Sequence, residues 1–324
     1  MKNASKKGKI HKFFYYVSKN VRFLNLKYIY LTQAISSIII FIMPDHRITT
    51  EDFDHEFNNE EKCLKYLMKI KYANGEPICS VCGKKMWNVR KITYECKCGH
   101  QKSVLSGTIF QDSHKPLRLW FRAIWYIAKC LENKKAIIAL EFQQDLGIKS
   151  YKTAWIWVHK LRRILMHPDR DQLFGEVEVA YTYIEIPRKT GKDSKREQEK
   201  ILIAMAMEIL SGKIKRIRIS MLPNSSRESR RNFRQENTKD GKVTEILYQQ
   251  NIERMRINTI ISPLKEWLKT LAPGSNTRKY IQCYFDEYSF LYNYSGKANR
   301  GELFDRLIKN AVLLKPITYQ DIIV

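Results

Sequence analysis

The spacing of apolar residues changes along the chain, and each change predicts a different kind of element. Between residues 49 and 72, Phe53, Phe57 and Leu67 recur at a spacing typical of short amphipathic helices. Residues 116–165 also have a helical pattern, with a break at Gly147. The first half of the chain is therefore predicted to be mainly helical.

The second half opens with strands. Residues 176–186, 201–210 and 214–222 are β-branched or apolar runs separated by polar loops, which predicts an antiparallel meander. A polar helical stretch follows at 225–237, and residues 252–324 are mainly helical in pattern. The fold class expected is α+β, with an α/β domain that ends in helices.

The charge balance narrows the choice of partner. The chain has 324 residues with 58 Lys or Arg and 33 Asp or Glu, a formal net charge of +25. Such a surplus favours a polyanionic partner, because Lys and Arg displace the counterions condensed on phosphates. Nucleic acid is the first interpretation, and a ribosomal or membrane-surface protein is the alternative.

Residues 1–42 differ from the rest of the chain. They contain eight Lys or Arg and no Asp or Glu, and an uncharged run extends from Tyr28 to Pro44. The run falls short of the ~20 apolar residues that a membrane span needs, although a signal or anchor segment has a similar pattern. Translation from Met43 is the other interpretation. A membrane location is therefore not expected.

Four of the seven cysteines have metal-ligand spacing. Cys79 and Cys82 form one close pair, and Cys96 and Cys98 form a second, tighter pair. Two such pairs on facing turns predict a closed tetrahedral Zn2+ site of the zinc-ribbon kind, structural rather than catalytic. His100 is a nearby alternative ligand. Lysines and arginines around the pairs would allow the ribbon to lie on phosphates: Lys84, Lys85, Arg90, Lys91 and Lys97.

The other three cysteines, Cys63, Cys130 and Cys283, lie in hydrophobic contexts and are predicted to be core residues. One metal site without a disulfide framework is typical of a reducing compartment. We therefore expect the cytoplasm, and association with the nucleoid if the partner is DNA.

Residues 133–163 predict a helix-turn-helix. A first helix from Asn133 ends at the glycine turn of Gly147, and Ser150 can cap a second helix that runs to Arg163. The residues expected to face a DNA groove are Lys149, Ser150, Lys152 and Thr153, and those expected on backbone phosphates are Lys160, Arg162 and Arg163. An ordinary helical hairpin is the alternative.

Several blocks in the same order resemble one family. The phrase QKSVLSGTIFQDSHKPLRLWFRAIWYI (101–127) after the cysteine pairs is similar to insertion-sequence transposases related to Merlin elements. The resemblance runs from about Thr49 to Val324 and includes ALEFQQDLGIKSYKTAWIWVHKLRRIL (139–165), GEVEVAYTYIEI (175–186), NTIISPLKEWL (258–268), YFDEYSFLYN (284–293) and RGELFDRLIKNAV (300–312). It implies an RNase H-like DDE domain that holds two Mg2+ on acidic residues for strand cleavage and transfer.

The expected acidic residues are incomplete. The family's first catalytic Asp belongs to a V-E-V-D-E-T-Y phrase, and here Ala180 occupies its position. Glu178 lies two residues away on the same strand face, a shift of ~6–7 Å that does not preserve the metal geometry. The resemblance therefore implies a damaged Mg2+ site.

The second and third positions are also altered. Asp240 is a candidate for the second Asp, but the resemblance favours a turn at Asp240 and Gly241, with the strand and loop that carry the Asp deleted. Asn258 falls at the third position, where its amide could help to hold Mg2+; a helix-cap asparagine is the alternative.

These expectations divide the chain into segments. They are a basic and apolar extension (1–46), N-terminal helices (47–74), a zinc ribbon (75–110), a helix-turn-helix region (116–168) and a truncated RNase H-like domain (174–324) shortened around 243–256. The expected partner is double-stranded DNA with terminal inverted repeats, bound by a homo-oligomer. A transposase impaired in catalysis and a non-catalytic DNA-binding protein or repressor are the competing functions, with a membrane-anchored zinc protein the weakest.

Overall fold

The amphipathic pattern at 49–72 forms two short helices in the computed structural model, α1 (Thr50–Glu56) and α2 (Glu60–Lys71). The Thr49 hydroxyl accepts from the backbone N–H of Asp52 and begins α1, and Asn59 caps α2 in the same manner. The structure describes residues 49–72, 75–113, 115–167, 171–187, 198–246, 256–271 and 278–323. The predictions for residues 1–46 lie outside these ranges.

A small antiparallel sheet follows the two helices. Its strands are β1 (Trp87–Arg90), β2 (Thr93–Glu95) and β3 (Gln101–Ser103), in that order across the sheet. An isolated bridge between Ile78 and Lys85 extends the same region toward the first cysteine pair.

Three helices form the next unit: α3 (Leu117–Glu132), α4 (Ala139–Leu146) and α5 (Tyr151–Arg162). Gly147 ends α4 in the left-handed conformation with φ +64°, which glycine adopts without steric cost. The helix expected from Asn133 begins six residues later, because residues 133–134 form a turn and residues 135–138 have no regular secondary structure. Ser150 is at the N-cap of α5, but its side chain makes no capping hydrogen bond.

The predicted meander is present. The strands β4 (Leu173–Pro187), β5 (Gln198–Leu210) and β6 (Lys213–Met221) pair antiparallel in sequence order. The helix α6 (Arg227–Asn237) leads into a further strand, β7 (Thr238–Ile246), which pairs parallel to β4 and completes the sheet order β6-β5-β4-β7.

β7 corrects the expectation that Asp240 and Gly241 form a turn, while the expected shortening around 243–256 stays a prediction. Both residues lie in β7, where Gly241 is opposite Gly175 in a bulged part of β4. A Cβ on Gly241 would come within 2.3 Å of the Gly175 carbonyl oxygen, so the close approach of the two strands requires glycine at 241. Because β7 is an exposed edge strand with many polar residues, its apolar periodicity is weak.

Four helices complete the described chain: α7 (Asn258–Lys269), α8 (Ile281–Tyr294), α9 (Arg300–Leu313) and the short α10 (Gln320–Ile323). α7 and α8 cover one face of the sheet, and Phe233 of α6 packs on the other. α9 packs instead on α3, with the Phe304 ring 5.8 Å from Trp125. The helices near the C-terminus therefore belong to two cores. α7 and α8 pack on the sheet, whereas α9 packs on α3, which was predicted to belong to a different domain. None of the described helices has the length and apolar content of a membrane span.

An ion pair buried between α5 and α8 connects the helical unit (α3, α4 and α5) to the sheet unit (β4 to β7 with α7 and α8). Nε of Arg162 donates to Glu287 Oε2 at 2.6 Å, and the two side chains are 3% and 0% exposed. The other Glu287 oxygen accepts from the backbone N–H of Ile137 at 2.7 Å, while Arg162 donates to the Ile137 carbonyl at 2.5 Å. Every member of this set has a partner, which offsets the cost of burying the two charges.

Two side-chain amides of α8 cover the outer edge of β6. Asn293 accepts from the N–H of Ile217 at 2.8 Å and donates to its carbonyl at 3.0 Å. Gln282 accepts from the N–H of Met221 and donates to the Ile219 carbonyl, each at 3.0 Å. The amides satisfy backbone groups that a neighbouring strand would otherwise pair, so α8 closes this edge of the sheet.

Replacing Glu287 by Gln tests the buried ion pair. The substitution keeps the shape of the side chain and leaves the Arg162 charge uncompensated, so the free energy of unfolding is expected to fall by about 3–5 kcal/mol. Urea denaturation measures the change.

Glu266→Gln is the matched control, because Glu266 pairs with Lys269 on the surface with side chains about 70% exposed. Its effect is expected to stay below about 1 kcal/mol. Equal effects of the two substitutions would show that the buried pair does not hold the units together.

Candidate metal cluster and nucleic-acid interface

The predicted cysteine set converges in space. The Sγ atoms of Cys79, Cys82, Cys96 and Cys98 all lie within 4.8 Å of one another, with Cys79 and Cys98 at 3.6 Å and Cys82 and Cys96 at 3.2 Å. A tetrahedron of thiolates about 2.3 Å from Zn2+ has edges of about 3.8 Å. Both of these separations are slightly shorter than that edge and no sulfur pair exceeds 4.8 Å, so the cluster is compatible with a zinc site.

Each cysteine pair lies on a tight turn that ends in a left-handed glycine. The N–H of Gly83 donates to the Cys79 carbonyl at 3.0 Å, and the N–H of Gly99 donates to the Cys96 carbonyl at 2.8 Å. The two glycines have φ of +69° and +80°. These turns aim both thiols of each pair at the same point.

The electrostatics of the first turn favour a thiolate. Although burial raises it, the backbone N–H groups of Cys82 and Val81 and the neighbouring thiols lower the pKa of Cys79 to about 6. The N–H of Val81 lies 3.4 Å from the Cys79 sulfur. The alternative ligand, His100, has its Nε2 3.5 Å from the Ser80 hydroxyl. Within the described residues, the metal-ligand cluster consists of the four cysteines and does not include His100.

The remaining cysteines and the basic residues around the cysteine pairs have the burial or exposure that their sequence context predicts. Cys63, Cys130 and Cys283 are buried, as predicted. The five basic side chains around the cysteine pairs are all exposed: Lys84, Lys85, Arg90, Lys91 and Lys97. Lys85 forms a surface ion pair with Glu76 at 2.6 Å.

The start of α5 is open to solvent. Lys149, Ser150 and Lys152 are exposed, and Thr153 is half-buried. The opposite face of α5 is held by Trp157, which stacks on Trp120 of α3 with ring centroids 4.5 Å apart. Packing therefore leaves the four predicted groove-facing positions on or near the surface at the beginning of the helix.

The predicted phosphate contacts at the end of α5 are only partly exposed. Arg163 is exposed, and Lys160 is half-buried, with its ammonium 5.9 Å from the Trp120 ring centroid. Arg162 is a correction: it is 3% exposed in the ion pair with Glu287 and does not reach a phosphate. It follows Val158 by four residues, so the helical period places both on the buried face.

His159 shows how strongly the inner face of α5 is buried. Burial, followed by the charges of Arg162 and Arg163, lowers the pKa of His159 to about 3. The imidazole is therefore neutral at physiological pH and packs between the rings of Trp155 and Tyr280.

The residues of α10 lie against α5, a contact that the sequence did not predict. The Lys152 ammonium is 5.4 Å from the ring centroid of Tyr319. Hydrogen bonds from Thr318, and then the charges of Arg163 and Lys160, lower the pKa of Asp321. An aromatic ring and a carboxylate thus lie close to cationic residues of the second helix.

The position of the expected first catalytic Asp is closed. Ala180 is 3% exposed and packs in the core between the sheet and the helices α7 and α8. Glu178, on the same face of β4, forms an ion pair with Arg256, two residues before Asn258. The beginning of α7 therefore lies beside this part of β4. The Arg256 guanidinium pairs with the carboxylate of Glu178, which is the one nearest to Ala180 along the strand.

The other two predicted positions differ in their placement. Asp240 precedes Gly241, whose strand partner Gly175 is five residues before Ala180; at about 3.3 Å per residue the separation along the strand is about 17 Å. Asp240 therefore does not join Ala180 in one site. Asn258 is the first residue of α7 rather than its N-cap, which is Ile257, so the helix-cap interpretation is wrong.

The comparisons with known proteins give no relative to set beside this geometry. No protein-family model, no curated protein and no solved structure matches the chain.

Proposed function

We propose that this chain is a DNA-binding protein that descends from an insertion-sequence transposase and no longer cleaves DNA. The observation that carries the proposal is the exposed start of α5, with Lys149, Ser150 and Lys152 directly after a glycine turn, on a chain of net charge +25. A second helix presented in this manner is suited to the major groove, where its first turn reads base edges.

The three-helix unit supports this use. α3 and α4 pack behind α5 through Trp120, Tyr126 and Phe142, so α5 is held by its inner face and is open at its first turn. Arg163 and the basic residues of the ribbon supply exposed cations for backbone phosphates, which position a protein without reading sequence. Duplex DNA is therefore the proposed partner, with the terminal repeats of a related element as its specific target.

The descent rests on the order of the elements. The resemblance implies a meander of strands, a helix and then a fourth strand, and the elements β4 to β7 follow that order. This order supports the proposed RNase H-like domain. It does not restore a catalytic site, because the position beside Ala180 on β7 is Ile246.

The loss of cleavage follows from the residues around Ala180. Two Mg2+ ions need carboxylate oxygens to hold them and to polarise the attacking and leaving oxygens. Here the candidate positions supply a methyl group at Ala180 and an amide at Asn258, while Glu178 is paired with Arg256. The residues do not fit a two-metal site, so we propose binding without strand cleavage.

The four-cysteine cluster is proposed to hold one structural Zn2+. All four ligand positions would be thiolates, which leaves no open position for water or substrate. Its role is to fix the two turns that carry Lys84, Lys85 and Lys97 and so to hold these cations in one orientation.

Substituting both Lys149 and Lys152 by Ala tests the DNA-binding surface. Affinity for duplexes tiled across the DNA that flanks the gene is expected to fall at least ~10-fold, since each lost contact contributes about 1–3 kcal/mol. Fluorescence anisotropy measures it. For six phosphate contacts, wild-type affinity should also fall about 1,000-fold between 50 and 200 mM salt.

The control is Lys265→Ala with Lys269→Ala, which removes the same charge from exposed positions of α7. It is expected to change affinity less than about 3-fold, because it alters only the distant electrostatic attraction. Equal losses in the two double variants, or an affinity that does not respond to salt, would contradict the proposed surface.

Replacing Cys79 and Cys82 by Ser tests the metal cluster. The wild-type chain is expected to carry one zinc and the double variant none, because two thiolate ligands are lost. Atomic emission on purified protein measures the content. Cys130→Ala is the control and should retain its zinc, since Cys130 is buried in α3. One zinc per chain in the double serine variant would refute the ligand assignment.

A further inference from the structure

A cavity of about 620 Å³ lies between the helical unit and the sheet unit. Residues after α5, the end of β6, the end of α6, one face of α8 and the segment 314–317 all contribute to its walls. Its volume falls in the range of small-molecule sites. The apolar part of the lining includes Met166, Met221 and Ile317.

A buried guanidinium with an unsatisfied donor is part of the lining. Arg218 of β6 is 2% exposed, and its Nε donates to Asn237 Oδ1 at 3.0 Å. Asn237 is itself fixed by a hydrogen bond to the Phe233 carbonyl at 2.8 Å. Within the described part of the chain, Nη1 of Arg218 has no hydrogen-bond partner. Arg is always charged, and a buried charged donor without an acceptor is costly.

One acidic residue of the lining, Asp286, lies close to Arg218: burial raises the pKa of its carboxyl to about 6, and the charge of Arg218 acts against that rise. Asp286 accepts from Gln282 Nε2 at 3.0 Å. Asp321 accepts from the N–H and the hydroxyl of Thr318, both at 2.7 Å, and Glu236 is an exposed residue near the end of α6. The three carboxylates of the lining equal its three Arg and Lys residues in number, but none of them accepts a hydrogen bond from Nη1 of Arg218.

Two further cations, Arg163 and Lys315, are exposed residues that also line the cavity. A phosphate that accepts from Arg218 Nη1 could therefore be approached by long, adaptable side chains from the rim. Guanidinium groups bind phosphate through charge-assisted hydrogen bonds, which are roughly twice as strong as neutral ones. The methionines and Ile317 offer an apolar surface to the planar part of the same ligand.

We infer that this cavity is a nucleotide-binding site in which Arg218 holds the phosphate and the apolar wall of Met166, Met221 and Ile317 contacts the base. The nucleotide is either free in solution or part of a single DNA strand, since both present the same phosphate and base. The site goes beyond duplex binding by α5 and uses different residues, apart from Arg163 at the rim.

The test uses the full zinc-loaded chain and titration calorimetry with dAMP, inorganic phosphate and a short 5′-phosphorylated single strand. Arg218→Met removes the charged donor and is expected to weaken nucleotide binding at least ~10-fold. Ser220→Asp is the second variant, because Ser220 lines the cavity two residues from Arg218 on the same strand face, about 6–7 Å along β6. Its carboxylate would pair with Arg218 and repel phosphate, so the same loss is expected in a chain that remains folded.

Lys265→Ala is the control and should bind dAMP like the wild type, since it lies on α7 outside the cavity. Binding of dAMP identifies a free nucleotide, and binding of the single strand alone identifies a strand; both support the site. No binding of either, or wild-type affinity in Ser220→Asp, would overturn it. Inorganic phosphate that binds as tightly as dAMP would overturn the assignment to a nucleotide.

Duplex affinity, measured by anisotropy on the same samples, separates this inference from the proposed function. Ser220→Asp should leave duplex binding within about 3-fold of the wild type, because its position is not on the exposed start of α5. Loss of nucleotide binding with duplex binding intact therefore reports on the cavity alone.

Discussion

The ion pair between Arg162 and Glu287 is the interaction on which the arrangement of this chain depends. It joins the last turn of α5 to the middle of α8, and both groups also bond the backbone of Ile137, in the connection before α4. A buried charge without its partner would cost several kcal/mol, so the two units can separate only together with the loss of this set of bonds. The proposed DNA-reading helix is thereby held in one position relative to the sheet.

The same helix α8 determines what the sheet can do. Its amides at Gln282 and Asn293 close the outer edge of β6, and its apolar face covers the side of the sheet on which Ala180 lies. The position where a metal-binding carboxylate would be expected is therefore part of a packed core. Arg218, a buried cation whose Nη1 has no hydrogen-bond partner within the described residues, faces a cavity instead.

Much of this fold was predictable from local patterns. The three strands of the meander have strong apolar periodicity, and the four cysteines lie on turns that short spacing and glycine define, so both were found from sequence. β7 was missed because an exposed edge strand such as Thr238–Ile246 shows no apolar alternation. The partners of Glu178 and Arg162 were missed because each lies more than 70 residues away, and only tertiary packing brings them together. The burial of Arg162 itself could have been found, since the helical period aligns it with Val158.

We propose that the chain binds DNA and does not cut it. The most direct test is to incubate the purified protein with a supercoiled plasmid that carries the DNA flanking its gene, in the presence of Mg2+ or Mn2+, and to follow nicking and linearisation on a gel while a mobility-shift assay follows binding. We expect a shifted complex with the plasmid left intact. Nicking that requires the metal and disappears in Glu178→Gln would contradict it, because it would show that a catalytic carboxylate remains beside Ala180.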